Sequence, residues 1–122
     1  MTRFSMTTLR SAALAALMLA TAPGAVLAQE TPVRIGVLTD MSGQFSHEAG
    51  EGSVAAVKMA VEDFGGTIFG KPIEVLVSDH QNKPELAVST AQEWYESGGV
   101  NMITNLINSG IALAVAGVAA EQ

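Results

Sequence analysis

The chain has no cysteine, so no disulfide can staple it and the fold must rest on its apolar core. The acylated cysteine that tethers a lipoprotein is excluded for the same reason. Basic residues are scarce as well: six Lys and Arg stand against twelve Asp and Glu. Two of the six, Arg3 and Arg10, fall in the first ten residues, so from residue 29 onward four bases face twelve acids, a net of −8. Such a surface argues against nucleic acid and anionic membrane as partners. Aromatic residues make up 5% of the chain, and the single Trp and single Tyr, adjacent at Trp94 and Tyr95, are assigned to packing on a sheet or at the surface rather than to binding. A membrane-spanning run is missing too. Crossing a bilayer needs about twenty apolar residues, and the Ala/Leu/Met stretch from Ser11 to Thr21 is about half that before Pro23-Gly24 breaks it.

What stands in that region is a basic n-region, a short apolar run and the small residues Ala25-Val26-Leu27-Ala28. This is the layout of a secretory signal peptide, with cleavage expected after Ala28 and no membrane insertion of the mature chain.

From Val33 on, apolar runs alternate with helical periodicity. Val33 to Leu38 reads as a first strand, and its exit, TDMSGQFSHEAGEG, is rich in small polar residues. A helix is expected over Gly50 to Phe64, where Val54, Val57, Val61 and Phe64 mark one face, with Gly65-Gly66 as its stop. Ile73 to Ser78 reads as a second strand. Asn82 and Glu85 have the spacing of a capping box, with Pro84 suited to the first turn of a helix running to about Glu96. Val100 to Leu106 is a third strand, with polar residues oddly placed at Thr104 and Asn105, and Ile111 to Ala120 a third helix. The order β-α-β-α-β-α predicts an α/β fold in three layers, a parallel sheet flanked by helices. So small a parallel sheet has open edges, which points to a piece of a longer protein.

Catalytic and cofactor readings meet obstacles of spacing. Ser109 sits at a strand-to-helix turn as a nucleophile would, but its neighbours do not form G-x-S-x-G and neither His47 nor His80 is identifiable as its base. Asp79-His80 lacks a third metal ligand at recognisable spacing. Gly50 and Gly52 lack the third glycine of a dinucleotide fingerprint and lie too far from the strand. Asp40 sits like the phosphoacceptor of a receiver domain, which a secreted chain opposes. No cofactor or metal is expected.

A binding geometry remains. With the strands in the order 2-1-3, the loops after the first and third face one crevice at the switch point. Met41 to Ser46 line one wall and Leu106 to Gly110 the other, with Ser42, Ser46, Asn108 and Ser109 offering directed hydrogen bonds, Phe45 an apolar surface and Gly110 the turn into the helix. Both loops run into helix N-termini, which favour an anion such as a carboxylate. The same hydroxyls can serve simply as helix caps.

The segments IGVLTDMSG, AVKMAVEDFGG, GKPIEVLVSD, DHQNKPELAVSTAQEW and NSGIALAVAGVA, in this order, resemble the leucine/isoleucine/valine-binding family of periplasmic solute-binding proteins, which have the type I fold and serve ABC importers. The resemblance implies two α/β lobes joined by a hinge, with residues 29–122 as the first part of lobe one and the hinge and second lobe outside them. It also implies that the turn at Asn108-Ser109-Gly110 holds a ligand carboxylate, that Ser42 to Gly50 forms the other wall of that lobe, and that the partners are a small solute and a membrane permease. Two features depart from the family: its cysteine pair is absent, and its serine-rich turn is Asn-Ser-Gly here. The solute, a branched-chain amino acid or a related amino, aromatic or organic acid, stays open. The alternatives are a ligand-sensing module of the same fold and, from another class, an exported serine hydrolase using Ser109.

Overall fold

A computed structural model describes residues 31–122; the expected signal peptide, residues 1–28, lies outside the described residues. The elements run β1 (Val33–Thr39), α1 (Gly50–Phe64), β2 (Thr67–Ile68), β3 (Lys71–Asp79), α2 (Pro84–Glu96), β4 (Val100–Thr104) and α3 (Ser109–Ala119). Their order across the sheet is β2-β3-β1-β4. β1 pairs in parallel with β3 on one side and with β4 on the other, which is the 2-1-3 order expected for the three long strands. The short β2 was not expected. It pairs antiparallel with the start of β3 through a turn in which Phe69 and Gly70 both have positive φ. Two residues carry too little periodicity to be read as a strand.

Alternation along β1 divides the residues between two layers. On one face Leu38 joins Ala87, Ala91 and Trp94 of α2, Val100 of β4, and Ile111, Val115 and Val118 of α3 in the main core. Trp94 lies against the backbone of β1: a Cβ placed on Gly36 would come within 2.4 Å of its ring. The glycine is there to admit the indole. On the opposite face α1 leaves an open apolar groove of about 360 Å³ between Val57, Val61 and Phe64 and the sheet residues Ile35, Ile73 and Met102.

α1 occupies the expected span. It has no side-chain cap at its start; instead a backbone turn leads in, with Ala49 N–H donating to Phe45 O and Gly50 N–H to Ser46 O. At its end Gly65 adopts φ 102°, and Gly65 N–H and Gly66 N–H close onto Glu62 O and Val61 O. Only a residue without a Cβ takes that left-handed geometry freely.

The expected capping box of α2 does not form. Its N-cap is Lys83, which makes no side-chain cap bond, and Asn82 stands one residue earlier in a left-handed conformation with φ 54°. Its carboxamide turns instead to another connector. The third strand and helix also shift: β4 stops at Thr104 rather than Leu106, where Asn105 takes φ 67°, and α3 starts at Ser109 because Asn108 caps it.

Registers decide where the connectors meet. β1 and β3 pair without a slip from Val33↔Ile73 to Thr39↔Asp79, so the two strands end level. β4 is bulged against β1 at Arg34/Ile35, where Asn101 Oδ1 accepts the Arg34 N–H at 2.9 Å, and its last residue faces Val37. β4 therefore leaves the sheet two residues before β1 does. That early exit opens a gap at the carboxyl edge.

Substituting Gly36→Ala should destabilise the domain by about 1–3 kcal/mol, since the indole is packed in the core and cannot swing clear. Urea denaturation followed by circular dichroism checks this; an unchanged midpoint would show that Trp94 yields.

Candidate functional site

The carboxyl edge of the sheet carries three connectors, and two aspartates organise the first two. Asp40, fully buried at the end of β1, accepts the N–H groups of Gly43 (2.6 Å) and Phe45 (2.9 Å). Gly43 lies so close that a Cβ there would meet the Asp40 carboxylate at 2.5 Å. Asp79, level with Thr39 on β3, accepts Met41 N–H at 2.9 Å, the Ser42 hydroxyl at 2.5 Å and Gln81 N–H at 2.8 Å. Four N–H groups of two loops and one hydroxyl are thus satisfied by carboxylates, and the β1–α1 connector is held from inside. Burial by itself raises the Asp79 carboxyl, but the Ser42 hydroxyl, the Met41 and Gln81 N–H groups and the nearby His80 outweigh it and hold Asp79 below its ordinary value.

His80 follows Asp79 and is fully buried. Its N–H donates to Thr39 O, and its Nδ1 accepts Asn82 N–H at 3.0 Å, which makes the imidazole the neutral Nε2–H tautomer. Burial pushes His80 below its ordinary value against the opposing pull of Asp40 and Asp79. His80 Nε2 and Thr39 Oγ1 are buried with no hydrogen-bond partner among the described residues.

The third connector is held by Asn108. Its Oδ1 accepts Gly110 N–H at 2.8 Å and Ile111 N–H at 3.2 Å, and its Nδ2 donates to Asn82 Oδ1 at 2.9 Å. Two of the helix donors that an anion could use are therefore taken by the cap. Ser109, exposed at the first position of α3, keeps a hydroxyl and an N–H with no partner among the described residues.

Between the first and third connectors, where β1 outruns β4, lies a cleft of about 530 Å³ lined by Glu48, Ala49, Ser53 and Thr104 to Ile107. This is the switch point of the sheet, since the crossover through α1 leaves toward β3 while β4 lies on the other side of β1. Of the residues placed on the two walls from sequence, Leu106 and Ile107 line the cleft; Ser42, Phe45, Ser46 and Asn108 sit on the connectors that bound it, and Ser109 and Gly110 open α3. Ser42 turns its hydroxyl to Asp79, leaving only oxygen lone pairs for a ligand. Phe45 and Ser46 are half-buried in the turns leading to α1. Gly110 gives its N–H to Asn108.

Glu48 and Ala49 fall within the Ser42 to Gly50 wall that the resemblance implied, whereas sequence reasoning missed Ser53, Thr104 and Asn105 as lining groups. Thr104 and Asn105 did carry a signal, two polar residues interrupting an apolar strand; Ser53 stands in a helix start and carries none. The cleft thus offers a carboxylate, two hydroxyls and a carboxamide beside the N-terminus of α3, a lining suited to a small polar solute. No group of three or more His, Asp or Glu able to hold a metal occurs among the described residues.

The sequence profile of the periplasmic binding protein family matches residues 32–122. The chain belongs to that family. Among solved structures it is similar to a periplasmic binding protein from Burkholderia mallei, with 50% identity and a TM-score of 0.72 over 74% of this chain and 24% of that one. It is also similar to a branched chain amino acid ABC transporter periplasmic ligand-binding protein from Burkholderia xenovorans LB400, with 45% identity and a TM-score of 0.70, covering 73% of this chain and 24% of that one. A third likeness is to an ABC transporter solute binding protein from Rhodopseudomonas palustris BisB5 in complex with 3,4-dihydroxy benzoic acid, at 29% identity and a TM-score of 0.68, covering 74% and 24%. The chain spans about a quarter of the length of these relatives, as those 24% shares show. A comparison with curated proteins finds no match. No helix among the described residues is long and apolar enough to cross a membrane. The family assignment agrees with the fold expected from the sequence.

Two outcomes test the network. Asp40→Asn sets an amide N–H₂ against one of two backbone donors and should cost about 1–3 kcal/mol in urea denaturation. For His80 the folded value lies below the unfolded one, so the unfolded chain takes the proton first and stability falls as pH drops through about 6.5. His80→Asn, which keeps an acceptor near the Nδ1 position, should flatten the melting temperature between pH 7 and 5; an unchanged profile would exclude His80 as its source.

Proposed function

We propose that the chain is the first part of lobe one of a periplasmic substrate-binding component of an ABC importer. In this reading residues 1–28 are the signal peptide, residues 29–122 begin the lobe, and the hinge and second lobe belong to further chain. The solute is a small molecule bearing a carboxylate. The observation that carries the reading is the switch-point cleft with Ser109 at its border, in a chain half identical to a periplasmic binding protein over three quarters of its length.

The Ser109 hydroxyl and N–H, at the positive end of the α3 dipole, suit one carboxylate oxygen. With Gly110 and Ile111 engaged by the cap, recognition on this lobe rests on few donors, and a second lobe closing over the cleft supplies the remaining contacts. Closure is driven by the higher affinity of the closed state for the solute, and the closed form is what a membrane permease receives. No bond is made or broken, and no cofactor takes part. A relative carrying 3,4-dihydroxy benzoic acid and another described by branched-chain amino acids share the carboxylate and differ in the rest.

Isothermal titration of the mature two-lobed protein should give binding of benzoate, 3,4-dihydroxybenzoate, leucine or isoleucine, and none of the matching amide. Ser109→Ala should weaken that binding about tenfold, about 1.4 kcal/mol, as loss of a hydrogen bond to a charged group implies. An amide bound as tightly as its acid would overturn the carboxylate reading.

A further inference from the structure

We propose that Asn82 is a positioning residue for the ligand-binding turn: from the β3–α2 connector it orients the Asn108 carboxamide, and so decides which donors at the start of α3 are left to a ligand. The inference rests on the function proposed above.

Asn82 stands one residue before Lys83, the N-cap of α2, and α2 draws no side-chain cap bond. Its Oδ1 receives the Asn108 Nδ2–H at 2.9 Å, across 26 residues of sequence. The pose is held against a backbone cost. Gln81 and Asn82 are consecutive left-handed residues, with φ 51° and 54°, a conformation disfavoured for residues with a Cβ. Each is pinned through its N–H, Gln81 to Asp79 Oδ1 at 2.8 Å and Asn82 to His80 Nδ1 at 3.0 Å. His80 is in turn fully buried, so the chain of bonds is anchored in the interior.

A firm hold on direction is what Asn82 adds. A carboxamide has an acceptor end and a donor end, and the cap works only with Oδ1 toward Gly110 N–H and Ile111 N–H. The two N–H donors select that orientation, and the acceptor at Asn82 locks it from the other end of the amide. Without it the carboxamide is held at one end only, the Gly110 and Ile111 N–H groups are bound less firmly, and Ser109, held between cap and first turn, is less firmly placed.

Two substitutions separate the parts of this claim. Asn82→Gly keeps the left-handed backbone and removes the acceptor; Asn82→Asp keeps an acceptor oxygen. In the mature two-lobed protein, titrated with benzoate and with leucine, Asn82→Gly should bind whichever acid the parent binds about tenfold more weakly. Amide hydrogen exchange at Gly110 and Ile111 should accelerate in Asn82→Gly and return to the parent rate in Asn82→Asp. Parent affinity in Asn82→Gly overturns the proposal, even if the variant melts lower, and so does an Asn82→Asp protein exchanging as fast as Asn82→Gly. A parent that binds neither acid counts against the binding function itself, while the exchange comparison still decides whether Asn82 sets the cap.

Discussion

Level termination of β1 and β3 places two carboxylates side by side at the edge of the sheet, and the connectors are built around them. Asp40 and Asp79 follow and end strands that pair without a slip from Val33 to Thr39. Asp40 is buried and Asp79 half-buried, and the donors that reach their oxygens are the N–H groups of Met41, Gly43, Phe45 and Gln81. Chain that would otherwise sample many conformations is thereby given one. The wall it forms is shaped from beneath, which leaves its outer surface free of these contacts.

The third connector is organised differently. It has no carboxylate, and β4 leaves the sheet early, at the residue opposite Val37. Carboxamides take over: Asn108 caps α3 and is itself held by Asn82. Carboxylates accept at both oxygens and tolerate either orientation, whereas an amide must be told which way to point. The cleft therefore lies between a wall fixed by charge and a wall fixed by the direction of neutral groups.

Much of the frame was legible in the sequence because its signals are local. The 3–4 spacing from Val54 to Phe64 and the Gly65-Gly66 stop define α1, and the 2-1-3 strand order is the usual one for the start of a doubly wound sheet. Trp94 packs against the sheet, one of the two places expected for it. The readings that changed depend on contacts between distant residues. Asn82 and Glu85 have the spacing of a capping box, but the acceptor at Asn82 is claimed by Asn108, and nothing in the local sequence distinguishes the two uses. Asp40 looked like chemistry and proved to be a fastening for Gly43 and Phe45. The early end of β4 is a matter of register against β1, and only the polar pair Thr104-Asn105 betrayed it.

The close approach of Trp94 to Gly36 has a bearing on how this protein can be watched. Trp94 is 8% exposed and lies on the α2–α3 side of the sheet, whereas the cleft is lined by the start of α1 and the exit of β4. Its indole emission reports the apolar interior, against which the cleft residue Leu106 also packs. Fluorescence of Trp94 therefore follows loosening of that core, whereas a dye placed on the β1–α1 connector reports the cleft wall itself.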